Sequence, residues 1–203
     1  MLTVGNDEAV VERQLAGGEL RCPGCGGQLR GWGHARDRKI RLGGQARRRL
    51  RPRRAACSSC GRTHVLLPAW VLARRADGAG VIGEALGLAA AGLGCRAIAG
   101  RLGRAAATVR GWLRRLAVRA EALRSAFTVL ACELDPDPLL PGPSGSAAAD
   151  AVAAIWAAAA AARRWAGALA SALSPWELAS AVTSGLLLGP GMTVQMINTS
   201  CLW

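Results

Sequence analysis

Two matched cysteine pairs constrain the fold of this chain more strongly than any other feature. Cys22 and Cys25 lie in CPGCGG, and Cys57 and Cys60 lie in CSSCGR. A C-x2-C turn places two thiolates on one side of a metal ion, and a second such turn completes the tetrahedral shell that zinc prefers. The glycine after each second cysteine relieves the tight turn. The sequence therefore predicts a structural Zn²⁺ site in a zinc ribbon, against the alternative of four unrelated free cysteines.

The segment between the two pairs predicts a β-hairpin. The 31 residues between Cys25 and Cys57 exceed the usual ribbon spacing, and a hairpin that turns at Gly43 and Gly44 accommodates them. A block this small and charged buries little core, so we expect the metal to supply much of its folding free energy. A lone histidine near a cysteine turn is more often a surface residue than a metal ligand. Both histidines of the chain, His34 and His64, are therefore left out of the ligand set.

The positive charge is confined to the middle of the chain. The formal net charge is +13, yet residues 21–124 hold 22 arginines and one lysine against four acidic residues, and the segments on either side are acidic. Codon bias in a GC-rich genome explains a preference for arginine over lysine, but it does not explain this confinement. A basic middle is typical of a nucleic-acid-binding module, because arginine suits phosphates and guanine edges.

The arginine run ARRRLRPRR, residues 46–54, is predicted to form the second strand of the hairpin. Alternation along a strand places four arginines on one face, with Arg48 and Arg54 on the other. One interpretation is a solvated edge strand that charge protects against aggregation. The positive charge of residues 21–124 favours a second interpretation, in which this strand edge follows DNA phosphates. The four candidate phosphate contacts are Arg47, Arg49, Arg51 and Arg53.

Residues 95–115, CRAIAGRLGRAAATVRGWLRR, predict two helices joined at Gly103. Such a pair is either a packing unit or a helix-turn-helix that binds DNA, and the surrounding charge favours DNA. A helix at about 79–91 completes a three-helix bundle. The apolar stripes at helical spacing are Ile98, Ala99 and Leu102 in the first helix of the pair and Val109, Trp112 and Leu113 in the second.

The exposed face of the second helix supplies the candidate DNA contacts. Recognition helices enter the major groove by their N-terminal part, so we expect Ala106, Ala107 and Arg110 nearest to base edges. Arg110 is the candidate for guanine readout. Four further residues are expected to contact phosphates: Arg104, Thr108, Arg114 and Arg115.

Composition divides the chain into five segments. The expected fold is mainly α, with a small zinc-ribbon β-hairpin module, a three-helix helix-turn-helix bundle and Ala-rich C-terminal helices. The predicted segments are a flexible acidic lead at 1–20, the zinc ribbon at 21–68, the helix-turn-helix domain at 70–131, a Pro/Gly linker at 132–146 and the Ala-rich helical tail at 147–203.

The ribbon and helix-pair sequences resemble known proteins. CPGCGG, RPRRAACSSCGRTHVLLP and AIAGRLGRAAATVRGWLRR look like a family of actinobacterial helix-turn-helix proteins of unknown function. They are also similar to the N-terminal DNA-binding regions of insertion-sequence transposases. The resemblance covers about residues 20–120 and implies that the ribbon and helix-turn-helix bind terminal repeats. A catalytic domain with three acidic residues follows in the transposases, whereas here an Ala-rich tail follows, so transposase activity is not implied.

The sequence predicts a DNA-binding protein, either a transcriptional regulator or a mobile-element-derived protein without a catalytic domain. Double-stranded DNA is the expected partner, and a homodimer would suit paired half-sites. The alternatives are non-specific binding of RNA or single strands, and an assembly role for the C-terminal helices. We find no catalytic set, signal peptide or membrane span. We therefore expect no enzyme activity, no small-molecule substrate, no membrane contact and a cytoplasmic, nucleoid-associated location.

Overall fold

The computed structural model describes residues 1–166 and 173–190, so the predicted tail at 147–203 lies partly outside the described residues. The fold is mainly α with a small N-terminal sheet, as the sequence predicts. The described elements are β1 (Leu2–Val4), α1 (Glu8–Ala16), β2 (Leu29–His34), β3 (Arg38–Arg41), β4 (Arg47–Leu50), β5 (Arg53–Cys57), β6 (Thr63–Pro68), α2 (Ala79–Ala90), α3 (Cys95–Leu102), α4 (Ala106–Leu134), α5 (Ala147–Ala166) and α6 (Pro175–Val182).

Four strands form one sheet in the order β1-β6-β5-β2. The strand β5 is antiparallel to both β2 and β6, and β1 runs parallel to β6 with Leu2 opposite Leu66. Apolar side chains of α1 and the sheet form a small core that includes Val11, Leu15 and Leu29. The same core contains two of the four paired cysteines, so the predicted metal site is continuous with it.

The segment 1–20 is an integral part of this β module, contrary to the expectation of a flexible lead. Leu2 is buried at the edge of the sheet. Asp7 caps α1, because its Oδ1 accepts hydrogen bonds from the backbone N–H groups of Ala9 and Val10 at 2.8 and 3.2 Å. The acidic composition hid a short apolar stripe whose partner strand lies about sixty residues later in the sequence.

The arginine run at 46–54 is not one strand, contrary to the prediction. The strand β4 ends at Leu50 and β5 begins at Arg53, on either side of Pro52, which has no N–H to donate to a strand ladder. The strand β4 pairs with β3 in a separate two-stranded hairpin, with Arg41 opposite Arg47. The turn at Gly43 and Gly44 is as predicted.

The helices α2, α3 and α4 lie where the sequence predicts three helices. The helix α3 ends at Gly103, whose φ of 62° is in the left-handed region that glycine adopts readily. The apolar residues Ile98, Val109 and Trp112 are buried as predicted. The helix α4 extends to Leu134, so the first residues of the predicted linker at 132–146 are helical.

The helices α5 and α6 share one apolar core with α2, α3 and α4 rather than forming a separate tail. Phe127 of α4 and Ile155 of α5 are fully buried in this core. The helix α6 packs on α2 so closely that a Cβ at Gly83 would lie 2.0 Å from the ring of Trp176. Ser174 and Glu177 form a reciprocal capping box at the start of α6.

Candidate metal centre and basic surface

The four paired cysteines meet at one end of the β module. Their sulfur atoms all lie within 4.8 Å of one another, and no disulfide joins them. The Cys22 and Cys60 sulfurs are 3.8 Å apart, and those of Cys25 and Cys57 are 3.5 Å apart. A tetrahedral ion with metal–sulfur bonds of about 2.3 Å requires sulfur separations of about 3.8 Å. The cluster therefore has the dimensions to hold a metal ion with four thiolate ligands.

The glycine after each cysteine pair sets the shape of its turn. Gly26 and Gly61 have φ values of 70° and 69°, which glycine adopts without the steric cost that other residues meet. The two turns have similar backbone hydrogen bonds: the N–H of Gly26 donates to the Cys22 carbonyl at 2.9 Å, and the N–H of Gly61 donates to the Cys57 carbonyl at 3.1 Å. The sequence prediction of two matched turns agrees with this geometry.

Close contact between the two turns requires a third glycine. A Cβ at Gly27 would lie 2.4 Å from Ser59 Oγ and 2.9 Å from the Cys57 sulfur. Both distances are far below a normal van der Waals contact, so any larger residue would push the two cysteine turns apart. Gly27, the last glycine of CPGCGG, is thus part of the site.

The close approach of the four thiols shifts their pKa values in opposite directions. The backbone N–H of Cys60, with that of Ser59 at 3.4 Å from the sulfur, lowers the pKa of Cys57 to about 6. The backbone N–H of Gly27 favours the Cys25 thiolate, but the neighbouring thiols raise the pKa of Cys25 to about 12. Four sulfurs this close cannot all be thiolates unless a positive ion lies among them.

His64, which the sequence did not assign to the site, lies against the cysteine cluster. It lies on β6, buried, with Nε2 at 3.3 Å from the Cys22 sulfur. Burial lowers the pKa of His64, which favours the neutral ring. A neutral ring can donate Nε2–H to a metal-bound thiolate and so fix its orientation. His64 lies two residues before the apolar Leu66, and strand periodicity from that leucine was the signal that could have placed this histidine inside. The other histidine left out of the ligand set, His34, is exposed.

The four arginines predicted to share one face differ in their surroundings. Arg47 is exposed, and no ion pair joins it to another residue in the described part of the chain. Arg49 and Arg51 both lie near Asp37 and remain largely exposed, at 77% and 68% of their side-chain surface. Arg53 is only 26% exposed and forms an ion pair with Glu12 at 2.7 Å. The break at Pro52 separates Arg53 from the other three.

Arg104 is buried, contrary to the expectation that it contacts phosphates. Its side chain is 7% exposed, and its Nε donates to Asp77 Oδ1 at 2.6 Å. Its Nη2 donates to the carbonyl of Leu42 at 2.7 Å, in the hairpin loop. Asp77 also accepts a hydrogen bond from Arg41 Nη2 at 2.6 Å. Arg104, which directly precedes the α4 N-cap, therefore connects the start of α4 to the hairpin. Its guanidinium is unavailable to a ligand.

The remaining predicted contacts lie on the first turns of α4. Arg110, Arg114 and Arg115 are exposed, and among the described residues none of them forms an ion pair. Ala107 is exposed, while Ala106 and Thr108 are half-buried. The buried residues of these turns face the helical core, so the arginines form the opposite, solvated side of the helix.

These features define the class: a β module with a four-cysteine cluster that could hold a metal ion, joined to an α-helical domain. Residues 22–92 match a family model described as a domain of unknown function, DUF6431. The matched range contains the four cysteines, the β3–β4 hairpin and Asp77, and it ends before α3 and α4. No curated protein and no solved structure matches the chain.

A membrane-crossing helix is absent from the described ranges. Among residues 1–166 and 173–190, every helix is too short or too polar to traverse a bilayer.

Proposed function

We propose that this protein binds double-stranded DNA, with the N-terminal turns of α4 in the major groove and the β3–β4 hairpin on the neighbouring phosphates. The observation that carries this proposal is the attachment of the hairpin to the start of α4. Arg104 directly precedes the α4 N-cap, Ala105, and donates to the carbonyl of Leu42 in the hairpin loop. Two arginine-rich elements distant in sequence are thereby held side by side.

The side chains of α4 support a recognition role for its first turns. Ala107 is small and exposed, so the backbone can approach base edges closely. Arg110 follows one turn later on the exposed side, and its planar fork suits the O6 and N7 atoms of guanine. Thr108, Arg114 and Arg115 are assigned to phosphates, which position the helix without reading sequence. Arg104 is left out of this set because it is buried.

We propose that the metal is zinc and that its role is structural. Four thiolates in a tetrahedral arrangement suit Zn²⁺, and all four ligand positions come from the protein. The ion would fix the cysteine end of the sheet, whose strand β5 continues directly from the hairpin after Pro52. Metal binding would thus maintain the scaffold that positions the arginines.

The biological role that fits best is a transcriptional regulator or a mobile-element-derived protein without a catalytic domain. The resemblance to transposase N-terminal regions supports the second of these. Among the described C-terminal helices, α5 packs on α4, while α6 packs on α2 and α5. The side chains of both helices are mainly alanine and other apolar residues. The described part of these helices therefore adds to the helical core and does not resemble a catalytic domain with three acidic residues.

The test is selection of bound duplexes from a random DNA library, with zinc present and salt near physiological. Enrichment of one motif supports the proposal, and a palindromic motif would add a homodimer with two half-sites. Binding without enrichment that weakens steeply as salt rises would replace it with non-specific phosphate binding. An absence of duplex binding by the zinc-loaded protein would refute it.

A further inference from the structure

We infer that Trp32 is a stacking platform for an unpaired nucleobase, so that the preferred ligand is duplex DNA with an adjoining single-stranded segment. This inference rests on the proposed DNA binding, because it adds a contact to that ligand. It concerns the β2 strand, at the edge of the four-stranded sheet, rather than the α4 surface.

The indole of Trp32 is more exposed than that of any other described tryptophan. It is 63% exposed, although a tryptophan side chain gains more from burial than most others. Neither the β-module core nor the helical core includes it. Stacking on a nucleobase requires a large, flat aromatic surface that is accessible to solvent, and Trp32 provides one on an ordered strand.

The backbone holds this indole outward in a defined conformation. The pairing of β2 with β5 shifts register between Gly31 and His34, where one extra residue in β2 forms a bulge. Such bulges redirect a side chain away from the regular sheet. Gly33 has a φ of 83°, and its carbonyl accepts a hydrogen bond from Arg53 Nη1 at 2.9 Å. Arg53 is itself paired with Glu12.

A second glycine completes the support of the bulge. A Cβ at Gly31 would lie 2.6 Å from Arg53 Nη2, so the arginine packs directly on this backbone. Arg53, which the sequence predicts on DNA phosphates, is half-buried and instead anchors the segment that presents Trp32.

The charge around Trp32 specifies a nucleic acid rather than an apolar protein surface. Arg30, His34 and Arg36 are exposed at alternate positions on either side of it. The ribbon segment 21–68 carries 13 basic residues against a single acid, Asp37. A base stacked on the indole would have its flanking phosphates beside these arginines.

The ligand must offer an uncovered base. Within a duplex, both faces of each base are covered by the neighbouring bases. Trp32 is a single side chain on an edge strand, and it does not lie on a helix that could enter a groove. An overhang or a gap supplies a free face without the cost of unstacking a pair. A duplex end with a single-stranded extension therefore offers a duplex to α4 and an uncovered base to Trp32.

The experiment compares a blunt duplex with the same duplex carrying a short single-stranded overhang, by fluorescence anisotropy with the zinc-loaded full chain. We expect wild type to bind the overhang duplex about tenfold more tightly, Trp32→Ala to lose that preference, and Trp32→Phe to retain most of it. The control is Trp156→Ala on α5, a residue 55% exposed, which should leave the preference unchanged. Zinc content and circular dichroism check the folding of each variant.

The outcomes separate this inference from the proposed function. Blunt-duplex binding with no overhang preference, or with a preference that Trp32→Ala keeps, overturns the inference and leaves the proposed function standing. Binding of single strands through Trp32 without any binding of blunt duplex would overturn the proposed duplex binding while supporting the stacking site. An equal loss on both ligands in Trp32→Ala would make the residue a general contact and overturn the inference.

Discussion

Asp77 Oδ1 accepts a hydrogen bond from Arg104 Nε at 2.6 Å, and the two side chains are 3% and 7% exposed. The same carboxylate accepts from Arg41 of β3 through its other oxygen. One buried acid therefore neutralises two arginines at the corner where the hairpin meets the helices. Through Asp77, two arginines of this basic segment connect the hairpin to the helices inside the protein.

Replacement of Asp77 by Asn should destabilise the protein by about 3–5 kcal/mol, because it leaves the buried charge of Arg104 without its partner. Urea denaturation followed by circular dichroism measures the change. The matched control is Asp37→Asn, which removes an ion pair to the exposed Arg49 and should cost less than about 1 kcal/mol. Similar losses in the two variants would contradict the structural role of Asp77.

Replacement of Cys57 by Ser should reduce the bound metal from one ion per chain to a small fraction and unfold the β module. The reason is that a structural ion contributes its binding free energy to folding. Metal analysis of the purified protein gives the stoichiometry, and identifies the ion. Cys132→Ser, at an exposed position on α4, is the control and should keep the metal. Unchanged metal content in Cys57→Ser would refute a four-cysteine site.

Replacement of Arg110 by Ala should weaken binding to the selected DNA site by about 1–3 kcal/mol, since it removes a bidentate contact to guanine. Binding to unrelated duplexes should change much less. Arg163→Ala, an exposed arginine on α5, removes the same charge away from α4 and serves as the control. An equal loss on every duplex would make Arg110 a phosphate contact instead.

Two glycines on α2 should respond oppositely to replacement by alanine. Gly80→Ala adds a methyl group in open space and should stabilise the helix by about 0.5–1 kcal/mol. Gly83→Ala forces the Trp176 ring to move and should destabilise by about 1–3 kcal/mol. Denaturation midpoints compare the two. A stabilising Gly83→Ala would mean that α6 does not pack on α2 as the structure has it.

Local chemistry made the candidate metal ligands and several helix ends predictable from the sequence. Four predicted features depend only on residues within one turn of each other: the spacing in each cysteine pair, the glycine after each pair, the helix end at Gly103 and the cap at Ser174. The mainly α fold and the cysteine cluster were confirmed for this reason. Duplex binding and the α4 contacts stay predictions.

Long-range partners were not predictable. The pairing of β1 with β6 and the burial of Arg104 against Asp77 join residues far apart in sequence. An arginine in a basic run has the same local pattern whether it meets solvent or a buried carboxylate. Pro52 was a local signal for the strand break, and the arginine alternation on either side of it obscured that signal.

The helix α4 has a mechanical consequence. It is continuous over 29 residues, a rod of about 43 Å at 1.5 Å per residue. Its first turns carry Arg110, and its last turns pack against α5 through residues such as Phe127 and Leu130. Because the helix is uninterrupted, α4 keeps one axis from its contacts with α5 to Arg110, and the packing of α5 helps to fix the direction of that axis. The alanine-rich helix α5 thus helps to set the angle at which the arginine-bearing end of α4 is presented.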